Sequence, residues 1–173
     1  MRALVASSSL AIVLAGAAGC GSTPGKSDPG AERRAFAQVT KETAVTDLDS
    51  AQPGTRARLD AAPGWAVFST IGARVFVGDA PGGFGVAHDT KSGDETYMRM
   101  TVPSYGAGLG FEQFRAVFVF RDEKTFREFV DKGWDFATDV AGSGIEVFQL
   151  TEAGRVTDPT LAGTRFRRDR ELN

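Results

Sequence analysis

Between Tyr105 and Phe111 every second residue is glycine, in the run Tyr-Gly-Ala-Gly-Leu-Gly-Phe. Successive side chains of an extended strand point to opposite faces. Tyr105, Ala107, Leu109 and Phe111 would therefore project one way, while Gly106, Gly108 and Gly110 leave the other face as bare backbone. Each such glycine costs strand stability, of the order of 0.5–1 kcal/mol by analogy with Gly against Ala. A face stripped in this way is expected to lie against something close: another strand, a helix or an acyl chain. Gly106, Gly108 and Gly110 are thus candidate ligand contacts, with sharp barrel bends as the plainer explanation. The GxGxG spacing, with no helix after it, is not a dinucleotide fingerprint. A second cluster, Gly78-Asp-Ala-Pro-Gly-Gly-Phe-Gly85, reads as a tight connection whose last glycines enter the next strand.

The core vocabulary agrees with a sheet. Beyond residue 20 there are 13 phenylalanines and 13 valines but only six leucines. Strands are expected over 65–71, 74–77, 84–88, 96–102, 105–111, 115–120, 145–151 and 164–167. Most are joined by Gly, Pro or Asp turns, which favours antiparallel neighbours. Residues 116–120 are wholly apolar, so that strand should be central. Helices are expected over 31–48, where Phe36, Val39 and Thr43 share a face, and over 55–61. A third starts at Asp122-Glu123, carries Phe126, Phe129 and Val130 at i, i+3, i+4, and stops at Gly133. The expected fold is α+β and mostly β: an antiparallel barrel-like sheet with an N-terminal helix and one internal helix packed on it, in one domain over 31–173.

The first residues read as an export signal. A short basic start, Met1-Arg2, precedes an uncharged run over 3–18, which is too short to span a bilayer. Small residues then lead to Ala17-Ala18-Gly19-Cys20. The chain's single cysteine thus stands where a lipobox would place it, with residues 1–19 as signal peptide. A diacylglyceryl group on Cys20 and an acyl chain on its freed amine would anchor the protein stably. The alternative is an ordinary secretory signal with an incidental cysteine. Gly21 rather than Asp follows, so an inner-membrane retention signal of the Asp type is lacking. An outer-membrane lipoprotein is expected in a Gram-negative cell, facing the periplasm or the exterior. Residues 20–30 are a polar Gly/Pro/Ser tether. Its Gly25-Lys26-Ser27 is not a phosphate loop, because Cys20 stands where the earlier glycine belongs.

One cysteine and one histidine leave no Cys- or His-rich metal site. His88 is expected on the solvent side of a strand end, without a catalytic partner. The carboxylate pairs Asp94-Glu95 and Asp122-Glu123 are adjacent in sequence and do not face each other across a cleft. No enzymatic activity, cofactor or metal is expected. A net charge of −2 gives no reason to expect nucleic acid. The basic run Arg165, Arg167, Arg168 and Arg170 surrounds Phe166, and arginine forks suit phosphate oxygens. Arg165, Arg167 and Arg168 are therefore candidate lipid-headgroup contacts. The other reading is a solvated terminal strand with Asp169 and Glu171 as counter-charges.

Five segments taken in order resemble the SYLF family of phospholipid-binding proteins. They are Gly64-Trp-Ala-Val-Phe-Ser-Thr-Ile-Gly72; the Gly78–Gly85 cluster; Gly108-Leu-Gly-Phe-Glu-Gln113; Ala116-Val-Phe-Val-Phe-Arg-Asp-Glu-Lys-Thr-Phe-Arg-Glu-Phe129; and Val147-Phe-Gln-Leu-Thr-Glu-Ala-Gly154 with Gly163-Thr-Arg-Phe166. The resemblance runs from about residue 35 to 166. Ser69 stands in place of the usual proline, Asp79 and Pro81 interrupt the glycine stretch, and the Ala/Gly-rich segment near 141–144 is short. The resemblance implies binding of phospholipid or another apolar ligand, without catalysis and with no catalytic residue to transfer. The expected function is therefore a membrane-anchored envelope lipoprotein with a lipid-binding domain. The alternative is a structural or partner-binding envelope module with no small ligand, its protein partner unknown.

Overall fold

A computed structural model of the chain describes residues 28–72, 82–102, 113–136, 143–159 and 161–173. Cys20, the leader, the expected strands at 74–77 and 105–111, and Gly106, Gly108 and Gly110 lie outside the described residues.

The first helix, α1 (Pro29–Ala51), starts earlier than the composition of the tether implied. The Asp28 carboxylate accepts the backbone N–H groups of Gly30 and Ala31, and Pro29 fills the first helical position. An aspartate cap followed by proline is a helix start as much as a linker signature. After Gly54, at φ +92°, a short helix α2 (Thr55–Ala61) leads into the sheet.

The strands are β1 (Gly64–Ser69), β2 (Gly82–Asp89), β3 (Glu95–Thr101), β4 (Phe114–Phe120), β5 (Trp134–Asp135), β6 (Ile145–Thr151), β7 (Val156–Thr157) and β8 (Arg165–Arg168). Helix α3 (Glu123–Lys132) separates β4 from β5. Among the described residues these make one antiparallel sheet in the order β5-β8-β3-β2-β1-β4-β6-β7. The fold is α+β and mostly β, as the sequence led us to expect, with the sheet curled into a half-barrel. Sequence reading passed over the two-residue edge strands β5 and β7, which are too short to carry an alternation.

Curling is visible in one distance. Strands β8 and β4 stand four places apart, about 19 Å in a flat sheet at the usual strand spacing. Yet the rings of Phe166 and Phe118 lie 5.1 Å apart. The face that carries them is therefore concave. It is filled by Phe68, Phe118, Phe120 and Phe166 from the sheet, Phe126 and Phe129 from α3, and Phe136. Small residues let the curl close: a Cβ on Gly64 would collide with the Phe126 ring, and one on Gly85 with Phe68. Asp122 caps α3 through the Thr125 N–H and hydroxyl, and Gly133 ends it, as its sequence signals implied.

The convex face is covered by α1 and α2. Ala44, Val45 and Leu48 of α1 and Leu59 of α2 pack on Trp65, Val67, Val117, Val119, Phe148 and Leu150. The C-terminus closes the other half of this face. Leu172 packs with Ala37, Phe84 and Val86, and Asn173 exchanges hydrogen bonds with the backbone of Tyr97.

Candidate functional site

Helix α1 carries two stripes of side chains, one taken into the core and one left outside. Ala37, Lys41, Ala44, Val45 and Leu48 are buried. Phe36 and Val39, which share a face with Thr43, stay on the outside at 38% and 66% exposure. They are the large hydrophobics that remain exposed among the described residues. The i, i+3, i+7 spacing read from the sequence is present, but it lies beside the buried stripe rather than in the core. Ala37 and Ala44, with no bulk beyond Cβ, let the helix lie close to the sheet.

The outer stripe borders a groove of about 290 Å³ formed with Ile71, Arg115 and Glu152. The sequence put two threonines into its wall, Thr40 and Thr43. Their hydroxyls donate to the carbonyls of Phe36 and Val39, at 2.9 and 2.8 Å. Their methyl groups are thus left as the free ends. Phe36 is held in place by Phe84, at 5.6 Å between ring centroids, and by the backbone of Gly72, where a Cβ would clash with its ring.

One end of the groove is polar. Arg115 projects from β4 onto the convex face and is only 5% exposed. Its Nη2 lies 2.8 Å from Asp47 Oδ2 and donates to the Glu152 carbonyl at 3.3 Å. Among the described residues its Nε is buried without a hydrogen-bond partner. Sequence reasoning missed this group. The only available signal was an arginine opening an otherwise apolar strand, and that reads equally well as an edge position.

Of the arginines singled out from the sequence, Arg165 and Arg167 share one face and Arg168 lies on the other. Side chains of Arg165 and Arg167 lie on the convex side of β8 and share Asp135, at 3.9 and 2.6 Å. Arg167 also donates to the carbonyls of Trp134 and Phe166. Arg168 follows the register of Met98, on the concave side. There it lines a polar cleft of about 340 Å³ with Asp89, Asp94, Arg127 and Asp131. Asp89 is buried and pairs with Arg127 at 2.8 Å. Hydrogen bonds from the Ser92 and Lys91 backbones, against the opposing effect of burial, hold its carboxyl below the usual range. That cleft fastens the β2–β3 turn to α3.

His88 is not a free residue at a strand end. It is half-buried, with its ring 5.0 Å from that of Trp65 and Nδ1 3.2 Å from Glu95 Oε1. Lys41 of α1, itself buried, reaches the same oxygen at 2.5 Å and lies over Trp65. Gln38 donates to the second Glu95 oxygen and to the Tyr97 hydroxyl. Burial pushes the Glu95 carboxyl up, but the Lys41, Gln38 and His88 contacts outweigh it and leave it below its ordinary value. The hydrogen-bonding capacity of the carboxylate is spent on holding α1 to β2 and β3.

No protein-family model matches the chain. Among curated proteins, "Beta cell expansion factor A" of Aeromonas veronii is 28% identical over 155 residues, an alignment that takes in 82% of this chain. The chain spans 59% of that protein's length.

Proposed function

We propose that this chain is an exported lipoprotein, anchored through acyl chains on Cys20, whose SYLF-like domain binds phospholipid or another apolar ligand without catalysing a reaction. The observation that carries the reading is the exposed pair Phe36 and Val39 on α1. Cys20 precedes the cap Asp28 by eight residues. A fully extended chain of that length reaches about 27 Å. A membrane that holds Cys20 therefore lies within reach of the helix that exposes Phe36 and Val39. Apolar side chains gain free energy when they leave water for lipid. The filled concave face supports the same choice, because its phenylalanines already pack on one another.

The test uses the full chain carrying Cys20→Ala, mixed with vesicles of phosphatidylethanolamine and phosphatidylglycerol. Co-sedimentation is expected, and Val39→Asp should reduce it severalfold. Failure to sediment with any lipid composition would overturn the reading. Separately, Cys20→Ala should move the protein out of the membrane fraction of expressing cells, and unchanged fractionation would refute the anchor.

A further inference from the structure

We infer that the α1 groove is a site for one single-chain amphiphile with a zwitterionic head, of the lysophosphatidylethanolamine or lysophosphatidylcholine class. This deepens the lipid reading above and rests on it. The groove supplies both halves of such a molecule's environment. Its walls are the Phe36, Val39 and Ile71 side chains and the methyl ends of Thr40 and Thr43. At about 290 Å³ it stands at the low end of small-molecule sites, which run from roughly 300 to 1,000 Å³. That space suits one acyl chain rather than two.

The polar end selects the head. Arg115 brings one positive charge, nine-tenths buried, with Nε unpartnered. Asp47, paired with Arg115, and Glu152, whose backbone carbonyl accepts from it, are two acidic residues lining the same end. A purely anionic head would meet this excess of carboxylates at close range. A purely cationic one would place a like charge beside the Arg115 guanidinium. A zwitterion answers both: its phosphate oxygens accept from the guanidinium, and its ammonium faces the Asp47 and Glu152 carboxylates. The groove is thus expected to prefer zwitterionic over anionic single-chain lipids, although both share the same tail.

Isothermal titration of the full chain carrying Cys20→Ala, with short-chain lysolipids below their micelle concentration, tests the proposal. One molecule of lysophosphatidylcholine or lysophosphatidylethanolamine should bind per chain, at least tenfold more tightly than lysophosphatidylglycerol of equal tail length. Glu152→Gln should shrink that preference severalfold, and Val39→Glu should abolish binding. Both replaced residues are exposed at the surface, so folding is preserved. Equal affinity for the zwitterionic and anionic heads would overturn the head assignment. Absence of lysolipid binding by a chain that still sediments with vesicles would overturn the groove while leaving the lipid reading standing. Absence of both would remove the two together. Val39→Cys in the Cys20→Ala background adds a direct readout, because it makes Val39 the position of the single thiol. Lysolipid should slow its reaction with a maleimide at least tenfold. A thiol already protected before lipid is added would mean that the chain itself fills the groove, and would likewise overturn the proposal.

Discussion

The ring of Phe68 in β1 lies against the backbone of Gly85, its cross-strand partner in β2. A Cβ at position 85 would stand closer to that ring than a real Cβ can. Phe68 is fully buried and also touches Phe118, Phe129 and Phe166, so it has no free direction in which to retreat. Gly85→Ala should therefore cost about 1–3 kcal/mol, the range for overpacking a dense core. The check is the urea midpoint of unfolding. A midpoint equal to that of the unaltered chain would mean that the strand shifts without strain.

The Glu95 carboxylate joins α1 to the sheet through Lys41 and Gln38, and its pKa in the folded chain lies below the ordinary 4.5. A group whose folded pKa is depressed contributes stability that is fully present above the unfolded value and lost as pH falls through the folded one. Asp89, held below 3.8, adds a second contribution of the same sign. Stability should accordingly fall as pH drops below about 4.5, first by way of Glu95. Glu95→Gln should lower the urea midpoint at pH 7 and flatten its slope with pH in this window. An unchanged slope would show that Glu95 does not carry the acid sensitivity.

Asp47 and Arg115 make an unequal pair, since the arginine is buried and the aspartate is about one-third exposed. Removing the aspartate strands a buried charge, and breaking a buried pair in this way costs about 3–5 kcal/mol. Water that still reaches Asp47 should keep the cost of Asp47→Ala near the lower end of that range. Arg115→Met removes the charge and the unpartnered Nε together, and should cost much less. Chemical denaturation of the two variants ranks them, and the reverse order would contradict this account.

The fold was more legible than the site, and the reason lies in which residues carry period and which carry direction. The apolar run 116–120 sits well inside the sheet, and Asp122 and Gly133 bound α3 where cap chemistry placed them. Those features depend on local spacing, which sequence contains. Phe36, Val39 and Thr43 also keep their spacing, but spacing does not say which of two helical stripes meets the sheet. Lys41 would have been assigned to solvent by its type alone. It is buried because Glu95, 54 residues later, is waiting in the neighbouring layer. The same holds for Arg115, whose partner Asp47 comes from a helix far away in sequence. His88 found its carboxylate across a hairpin, in the register partner Glu95. Close approach is expected at Gly106, Gly108 and Gly110, which lie outside the described residues; at Gly64 and Gly85 what approaches is the protein's own phenylalanine.

The C-terminal arginines stand close enough in sequence to be grouped as one phosphate-binding cluster. Strand alternation divides them, with Arg165 and Arg167 on the convex side and Arg168 on the concave side. Asp135 stands between the first two and neutralises part of their field. Arg99, the cross-strand neighbour of Arg167, is likewise committed to Asp169 and Glu171. The pairs of Arg165 and Arg167 with Asp135 are exposed on both sides, and such pairs contribute about 0–1 kcal/mol each. Arg165→Ala with Arg167→Ala should therefore leave the urea midpoint nearly unchanged. It should also reduce vesicle co-sedimentation less than Val39→Asp does, because the double variant removes charges that are already paired. Asp135→Asn should act in the opposite sense, freeing both guanidinium groups and raising sedimentation with phosphatidylglycerol-rich vesicles at low salt, where exposed charges are least screened. A double arginine variant that abolishes sedimentation while Val39→Asp leaves it intact would transfer the lipid contact from α1 to β8.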